Sequence, residues 1–149
     1  MKIKKLNLLK TLIICLFLGS SEIDAAYFQK FSVSCVTEKS LETGRSYGFT
    51  DEYIMREWLK SSPYMFDGEF VWFKGMVSGW IKIKMKQSNN NISWQRYSNS
   101  LEVNTYSSLD TKNLVMKTRY GNNSDIQKSH CIKNTWNEGL ELSKQVRVK

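Results

Sequence analysis

From Trp80 to Tyr97 the chain alternates apolar and polar side chains with a period of two residues. Successive side chains of a β-strand point to opposite faces of its sheet, so this period predicts strands rather than helices. An Asn-rich segment at residues 88–91 divides the stretch, and asparagine tolerates the backbone angles of a tight hairpin turn. The apolar face of the first strand then carries Ile81, Ile83 and Met85, and its polar face carries Trp80, Lys82, Lys84 and Lys86.

Three connections predict the register of four neighbouring strands. They are two-residue turns at Asn89–Asn90 and Ser98–Asn99 and a longer loop over residues 107–113. With these connections one face of the sheet is apolar and the other polar, and a slip of one residue would disrupt both. The apolar row consists of Met85, Trp94, Val103 and Met116, and the polar row of Lys84, Gln95, Glu102 and Lys117. Arg96 is the exception, because it falls on the apolar face.

Further strands are expected at both ends of this meander. A first strand is predicted over residues 27–36 and a last strand through Cys131, with one helix between them that begins after the N-cap residue Thr50 and ends before Pro63. We therefore expect a mainly β (α+β) fold. It is an antiparallel meander of about five to seven strands, forming a curled sheet or small barrel, with one amphipathic helix packed on it.

The first 25 residues follow the pattern of a secretory signal peptide. Four lysines precede a short apolar run, Thr11–Gly19, and small and polar residues follow it. The run is too short for a membrane-spanning helix, which needs roughly 20 apolar residues, although an uncleaved anchor remains the alternative. We expect residues 1–25 to be removed by cleavage after Ala25. The alternatives are cleavage after Ala26 or near Gly19–Ser20. Residues 26–149 then form a single domain, without a transmembrane segment, in the periplasm or outside the cell.

Two cysteines lie within the expected domain, Cys35 near its start and Cys131 near its end. An even number of cysteines in an exported chain favours a disulfide bond. The alternative is two separately buried thiols. A redox-active pair is disfavoured, because the two residues do not form a C-x-x-C motif.

The chain is basic, with a formal net charge of +8. This charge favours acidic partners weakly and without specificity. The face formed by Trp80, Lys82, Lys84 and Lys86 is therefore a candidate surface for an anionic ligand such as an envelope component. The competing and favoured interpretation is a solvated strand face, since exposed lysines protect sheets from aggregation.

The sequence contains few residues that could perform catalysis. His130 is the single histidine, so the sequence offers too few ligands for a zinc site. No serine lies in a G-x-S-x-G motif, which disfavours a serine hydrolase that uses His130. Asp67 and Glu69 lie among aromatic residues, an arrangement found in sugar-hydrolysing sites, but the favoured interpretation is a polar turn that enters a strand. We predict no cofactor and no metal, and we find neither a nucleotide-binding loop nor a nucleic-acid motif.

These observations favour an exported binding or interaction module without a catalytic constellation. Its ligand is expected to be a small apolar molecule held between helix and sheet, or an anionic envelope component bound at the lysine face. The alternative is a small glycan-directed hydrolase that uses Asp67 and Glu69, with His130 as a weaker acid–base candidate. A third option is a cationic, membrane-active or inhibitory protein.

Overall fold

A computed structural model describes residues 28–58, 62–75 and 79–145 and shows an antiparallel β-barrel. Each strand pairs with the next along the chain, and the last pairs with the first. The expected signal peptide, residues 1–25, lies outside the described residues. The strands are β1 (Phe31–Thr37), β2 (Tyr64–Phe66), β3 (Phe70–Gly75), β4 (Gly79–Ser88), β5 (Asn91–Ser98), β6 (Val103–Asp110), β7 (Val115–Tyr120) and β8 (Ile126–Thr135).

The prediction of a mainly β fold with a helix is confirmed, but the predicted strand number is too low. The barrel has eight strands, and an eight-stranded barrel has an interior that side chains can fill. Apolar side chains from the inner faces of the strands form that filling, among them the fully buried Val33, Phe66 and Leu109. The alternation in the sequence therefore separates a packed interior from a solvated outer face.

The predicted register is correct for one of the three hairpins. Met85 lies opposite Trp94 as expected, but Trp94 lies opposite Ser107 rather than Val103. The connection after Ser98 spans four residues instead of two and contains Glu102 at a positive φ of 53°. The shift is an even number of residues, so each side chain keeps its predicted face.

The next hairpin is shifted in the same way. Met116 lies opposite Leu109 instead of Val103, and Lys117 lies opposite Ser108 instead of Glu102. This register brings Leu109 between Ile92 and Met116 in the barrel interior. Ile92, Leu109 and Met116 therefore pack in one hydrophobic core.

Three helical segments cover one side of the barrel, where a single helix was expected. They are α1 (Glu38–Ser46), α2 (Asp51–Tyr53), which continues as a π-helical turn (Ile54–Trp58), and α3 (Trp136–Gln145). Thr50 is the N-cap of α2 as predicted, since its hydroxyl accepts a hydrogen bond from the backbone N–H of Tyr53. The helices α1 and α3 were not predicted, because their sequences show only a weak apolar stripe.

A disulfide bond joins the first and last strands. Cys35 and Cys131 lie directly opposite each other on β1 and β8, and their sulfur atoms are 2.05 Å apart. The predicted pairing is confirmed, and the bond crosses the line along which the barrel closes. A disulfide is compatible with an exported protein. Among the described residues, no helix combines the length and the apolarity needed to cross a bilayer.

Candidate functional site

A row of polar residues crosses the outer face of five neighbouring strands, from β4 to β8. Strand pairing places Lys86 opposite Ser93, Ser93 opposite Ser108, and Ser108 opposite Lys117. Neighbouring strands are about 4.8 Å apart, so Lys86 and Lys117 are separated by about 14 Å of barrel surface. Lys128 on β8 continues the row beyond Lys117.

The side-chain lengths in this row create a groove. The two serines at its centre are short, whereas the lysines on either side are long, so the surface is lowest between the lysines. A second row, formed by Gln95, Tyr106, Arg119 and Ile126, borders the groove towards one end of the barrel. The groove has a volume of about 410 Å³. It could hold the charged part of a ligand while the rest of the ligand stays outside.

The groove is positively charged, and no carboxylate is among the described residues that line it. Within the described residues, no carboxylate forms an ion pair with Lys86, Lys117 or Arg119. The guanidinium carbon of Arg119 lies 4.9 Å from the centre of the Tyr106 ring, a cation–π contact that holds it beside the groove. Lys128 differs from these cations, since its Nζ lies 3.6 Å from the Oε1 of Glu38.

Asp110 is the one acidic residue on strands β4 to β7, and its carboxylate is already engaged. It accepts hydrogen bonds from the backbone N–H groups of Asn113 and Lys112 and from the side-chain amide of Asn113. The bonds from Asn113 and, to a lesser extent, Lys112 lower the pKa of Asp110, although burial opposes them. Asp110 therefore stabilises the turn between β6 and β7 as an anion. It lines an adjacent cavity with Lys117 and Lys128, so its charge acts at that end of the row and outside the groove lining.

The structure separates the residues of the predicted lysine face. Lys82, Lys84 and Lys86 are all exposed on the outer face of β4, but only Lys86 lines the groove. The Nζ of Lys82 lies 3.7 Å from the centre of the Phe70 ring and 4.9 Å from that of Trp72. Trp80, at the start of β4, is 43% exposed.

The predicted position of Glu102 in the polar row beside these lysines is wrong. Glu102 was predicted to lie opposite Gln95 and Lys117, whereas it occupies the connection between β5 and β6. The polar neighbours of Gln95 and Lys117 on β6 are Tyr106 and Ser108. The face is consequently more cationic than the sequence suggested.

Asp67 has a structural role, since its carboxylate stabilises the connection between β2 and β3. Its Oδ1 accepts hydrogen bonds from the backbone N–H groups of Glu69 (3.0 Å) and Phe70 (2.7 Å), and its Oδ2 accepts one from the indole N–H of Trp72 (2.7 Å). Although burial opposes ionisation, these three donors hold the pKa of Asp67 below its ordinary value. A lowered pKa suits a turn residue and not a general acid, which needs a raised one. Glu69 is exposed beside it.

His130 lies on the outer face of β8, beside α1. Its Nε2 is 3.6 Å from the Oε1 of Glu38, which also faces Lys128. No cluster of three potential metal ligands occurs in the described part of the chain. The geometry therefore brings His130 together with Glu38 and Lys128, and not with the Asp67–Glu69 pair.

The small apolar ligand that the sequence suggested would lie between the helices and the barrel, where the structure has only a small crevice. It has a volume of about 130 Å³ and is lined by Met55, Ile132 and Leu142 together with polar residues. Ligand pockets in proteins usually measure about 300–1,000 Å³. The crevice is too small to enclose such a ligand.

Four residues of the groove were missed from the sequence: Ser93, Ser108, Lys117 and Arg119. A signal for two of them was present, because Lys117 and Arg119 stand two residues apart, as Lys82, Lys84 and Lys86 do, and therefore share one strand face. Their proximity to Lys86 depends on strand register, which was predicted incorrectly for β6 and β7.

No protein-family model, curated protein or solved structure matches this chain.

Proposed function

We propose that this protein is a non-catalytic binding module that holds an anionic envelope component in the groove on the outer face of β4–β8. The observation that carries this proposal is the set of three cations, Lys86, Lys117 and Arg119, around a floor of serine hydroxyls. None of the three has a carboxylate partner among the described residues. Phosphate or carboxylate groups would supply the missing negative charge.

The groove offers two kinds of contact to such a group. The hydroxyls of Ser93 and Ser108 can donate hydrogen bonds at the floor, and the lysine and arginine side chains can reach over it from both sides. Lys84 continues the positive charge along β4, about 7 Å from Lys86. A ligand with several charged groups would therefore contact more of the face than a single ion.

The affinity expected from this surface is moderate and sensitive to salt. A lysine or arginine near an anionic surface contributes about 1 kcal/mol, so the three cations would together contribute about 3 kcal/mol. Exposed charges are screened within about 8 Å at physiological ionic strength. Binding should weaken steeply as salt is added.

The alternative function, a glycan-directed hydrolase using Asp67 and Glu69, has weaker support. Asp67 is held ionised by two backbone N–H groups of the turn and by the indole of Trp72 on β3, and Glu69 is exposed. A small apolar ligand is also less well supported, because apolar side chains pack the centre of the barrel and the crevice beneath the helices is narrow.

The proposal is tested by binding of fluorescently labelled inorganic polyphosphate to the purified protein. The triple variant K86Q/K117Q/R119Q should bind about 100-fold more weakly than the wild type, since 3 kcal/mol corresponds to about two factors of ten. A matched variant, K39Q/K112Q/K144Q, removes the same charge from exposed positions outside the groove. It should retain affinity within about threefold, the change expected from net charge alone.

Equal losses in the two variants would show that only net charge matters and would contradict a specific groove. A parallel measurement with vesicles that contain phosphatidylglycerol distinguishes a membrane surface from a soluble polymer. Vesicle binding that depends on the three groove cations identifies a lipid ligand, whereas polyphosphate binding alone identifies a polymer.

A further inference from the structure

A second group of polar side chains lies on the inner faces of the barrel strands, near the end where β4 begins. Strand pairing places Arg96 opposite Thr105, and Thr105 opposite Tyr120. These residues belong to the inner faces of β5, β6 and β7, whose neighbouring inward residues Trp94 and Ser107 are buried. Arg96 is the residue that the sequence placed, as an exception, on the apolar face, and the structure confirms that placement.

The hydroxyl of Thr105 is buried without a hydrogen bond. Thr105 is 3% exposed, and its Oγ1 has no partner in the part of the chain that the structure describes. Buried polar atoms without a partner are rare in folded proteins. The neighbouring Ser107 shows the usual solution, since its hydroxyl forms a hydrogen bond of 3.2 Å with that of Thr118.

Arg96 is half-buried beside Phe73, and its charge is not neutralised. The guanidinium carbon lies 4.9 Å from the centre of the Phe73 ring, which provides a cation–π contact but no acceptor for the N–H groups. No carboxylate in the described ranges forms an ion pair with it. The guanidinium group of Arg96, with five N–H donors, is therefore partly buried without the carboxylate that buried arginines usually pair with.

Tyr64 adds a third donor next to the same aromatic ring. Its ring centre lies 5.5 Å from that of Phe73 and 5.7 Å from that of Trp94. Burial raises the pKa of Tyr64, and the nearby Arg96 only partly opposes this effect, so the phenol keeps its proton at neutral pH. No hydrogen bond of the Tyr64 hydroxyl occurs within the described residues.

We propose that this mouth of the barrel is a second ligand site, which binds the carboxylate of a small organic acid through Arg96, Thr105 and Tyr64. One guanidinium matches one negative charge, and its planar N–H groups fit the two oxygens of a carboxylate. The rings of Phe73 and Trp94 line the adjacent wall and would contact the carbon part of the acid. The site is independent of the outer groove, because its residues face the interior of the barrel.

The experiment is a titration of the ¹⁵N-labelled protein with acetate and benzoate, followed by amide chemical shifts at constant ionic strength. Acetamide and benzamide serve as uncharged controls of the same shape. At least one carboxylate should produce saturable shifts at Arg96 and Thr105, and neither amide should do so. Arg96→Gln should weaken binding at least tenfold, and Thr105→Val should weaken it about threefold.

The variant K86Q/K117Q/R119Q should leave carboxylate binding unchanged, which separates this site from the outer groove. Thr105→Val also controls for folding, because valine keeps the shape of threonine and removes only a hydroxyl without a partner. The proposal is overturned if neither carboxylate shifts these amides, if the amides act equally, or if folded Arg96→Gln binds as the wild type does.

Discussion

Asp67 shows how one carboxylate organises a tight connection between two strands. It accepts three hydrogen bonds, two from backbone N–H groups of the turn and one from the indole of Trp72 on β3. The contact fixes the outward-facing Trp72 next to Lys82, whose ammonium group lies over the Trp72 ring. A single residue thereby links the turn to the cationic face of the barrel.

Replacing Asp67 by alanine should destabilise the protein by about 1–2 kcal/mol at neutral pH, because three donors lose their acceptor. The loss should depend on pH. The pKa of the folded state lies below the ordinary value of 3.8, so the unfolded chain takes up the proton first as the pH falls. The stabilisation is therefore complete above about pH 5 and disappears as the pH drops through the lowered pKa.

Urea unfolding of the wild type and Asp67→Ala between neutral and acidic pH checks this prediction. The difference between their free energies of unfolding should shrink below about pH 4. Asp125→Asn is a suitable control, since the Asp125 carboxylate forms no hydrogen bond with the described residues. A difference that stays constant down to the lowest accessible pH would contradict the role assigned to Asp67.

At the scale of elements, the packing of α3 on β1 depends on one glycine. A Cβ atom at Gly139 would lie 2.6 Å from the Cβ of Ser32 and 3.4 Å from the Cε of Met65. Ser32 is fully buried, and its hydroxyl donates a hydrogen bond to the carbonyl of Thr135 just before the helix. The helix can approach the barrel this closely only because residue 139 has no side chain.

Gly139→Ala should therefore destabilise the protein, although alanine favours helices by about 1 kcal/mol over glycine. Overpacking of this kind costs about 1–3 kcal/mol, and a shift of the backbone away from Ser32 would add to that cost. Urea unfolding of this variant and of Asn137→Ala, an exposed position on the same helix, measures the effect. If Gly139→Ala is as stable as Asn137→Ala or more so, the close packing of α3 is refuted.

For the molecule as a whole, closure of the barrel arranges both candidate sites. The pairing of β1 with β8 and the Cys35–Cys131 bond join the ends of the meander. A disulfide that links residues separated by 96 positions removes entropy from the unfolded chain worth about 4–5 kcal/mol in the simplest model. Closure directs Arg96 into the interior and the groove cations outward.

The separation of inner and outer faces could be predicted from the sequence. A register that is wrong by an even number of residues still places every side chain on its correct face. Met85, Trp94 and Met116 were assigned to one face, and they share the core. The groove could not be predicted, since its residues come together only through the pairing of β5, β6 and β7. That pairing depends on the length of the loop before Val103, where no Gly or Pro marks the turn.

A ligand with several negative charges should bind in the groove between Lys86 and Lys117. Amide chemical-shift mapping of the ¹⁵N-labelled protein with inorganic polyphosphate measures this binding residue by residue. We expect the largest shifts at Ser93, Gln95, Ser108, Lys117 and Arg119, and no shifts in α3. Shifts spread over all exposed lysines, or the largest shifts on α1 and α3, would contradict binding in the groove.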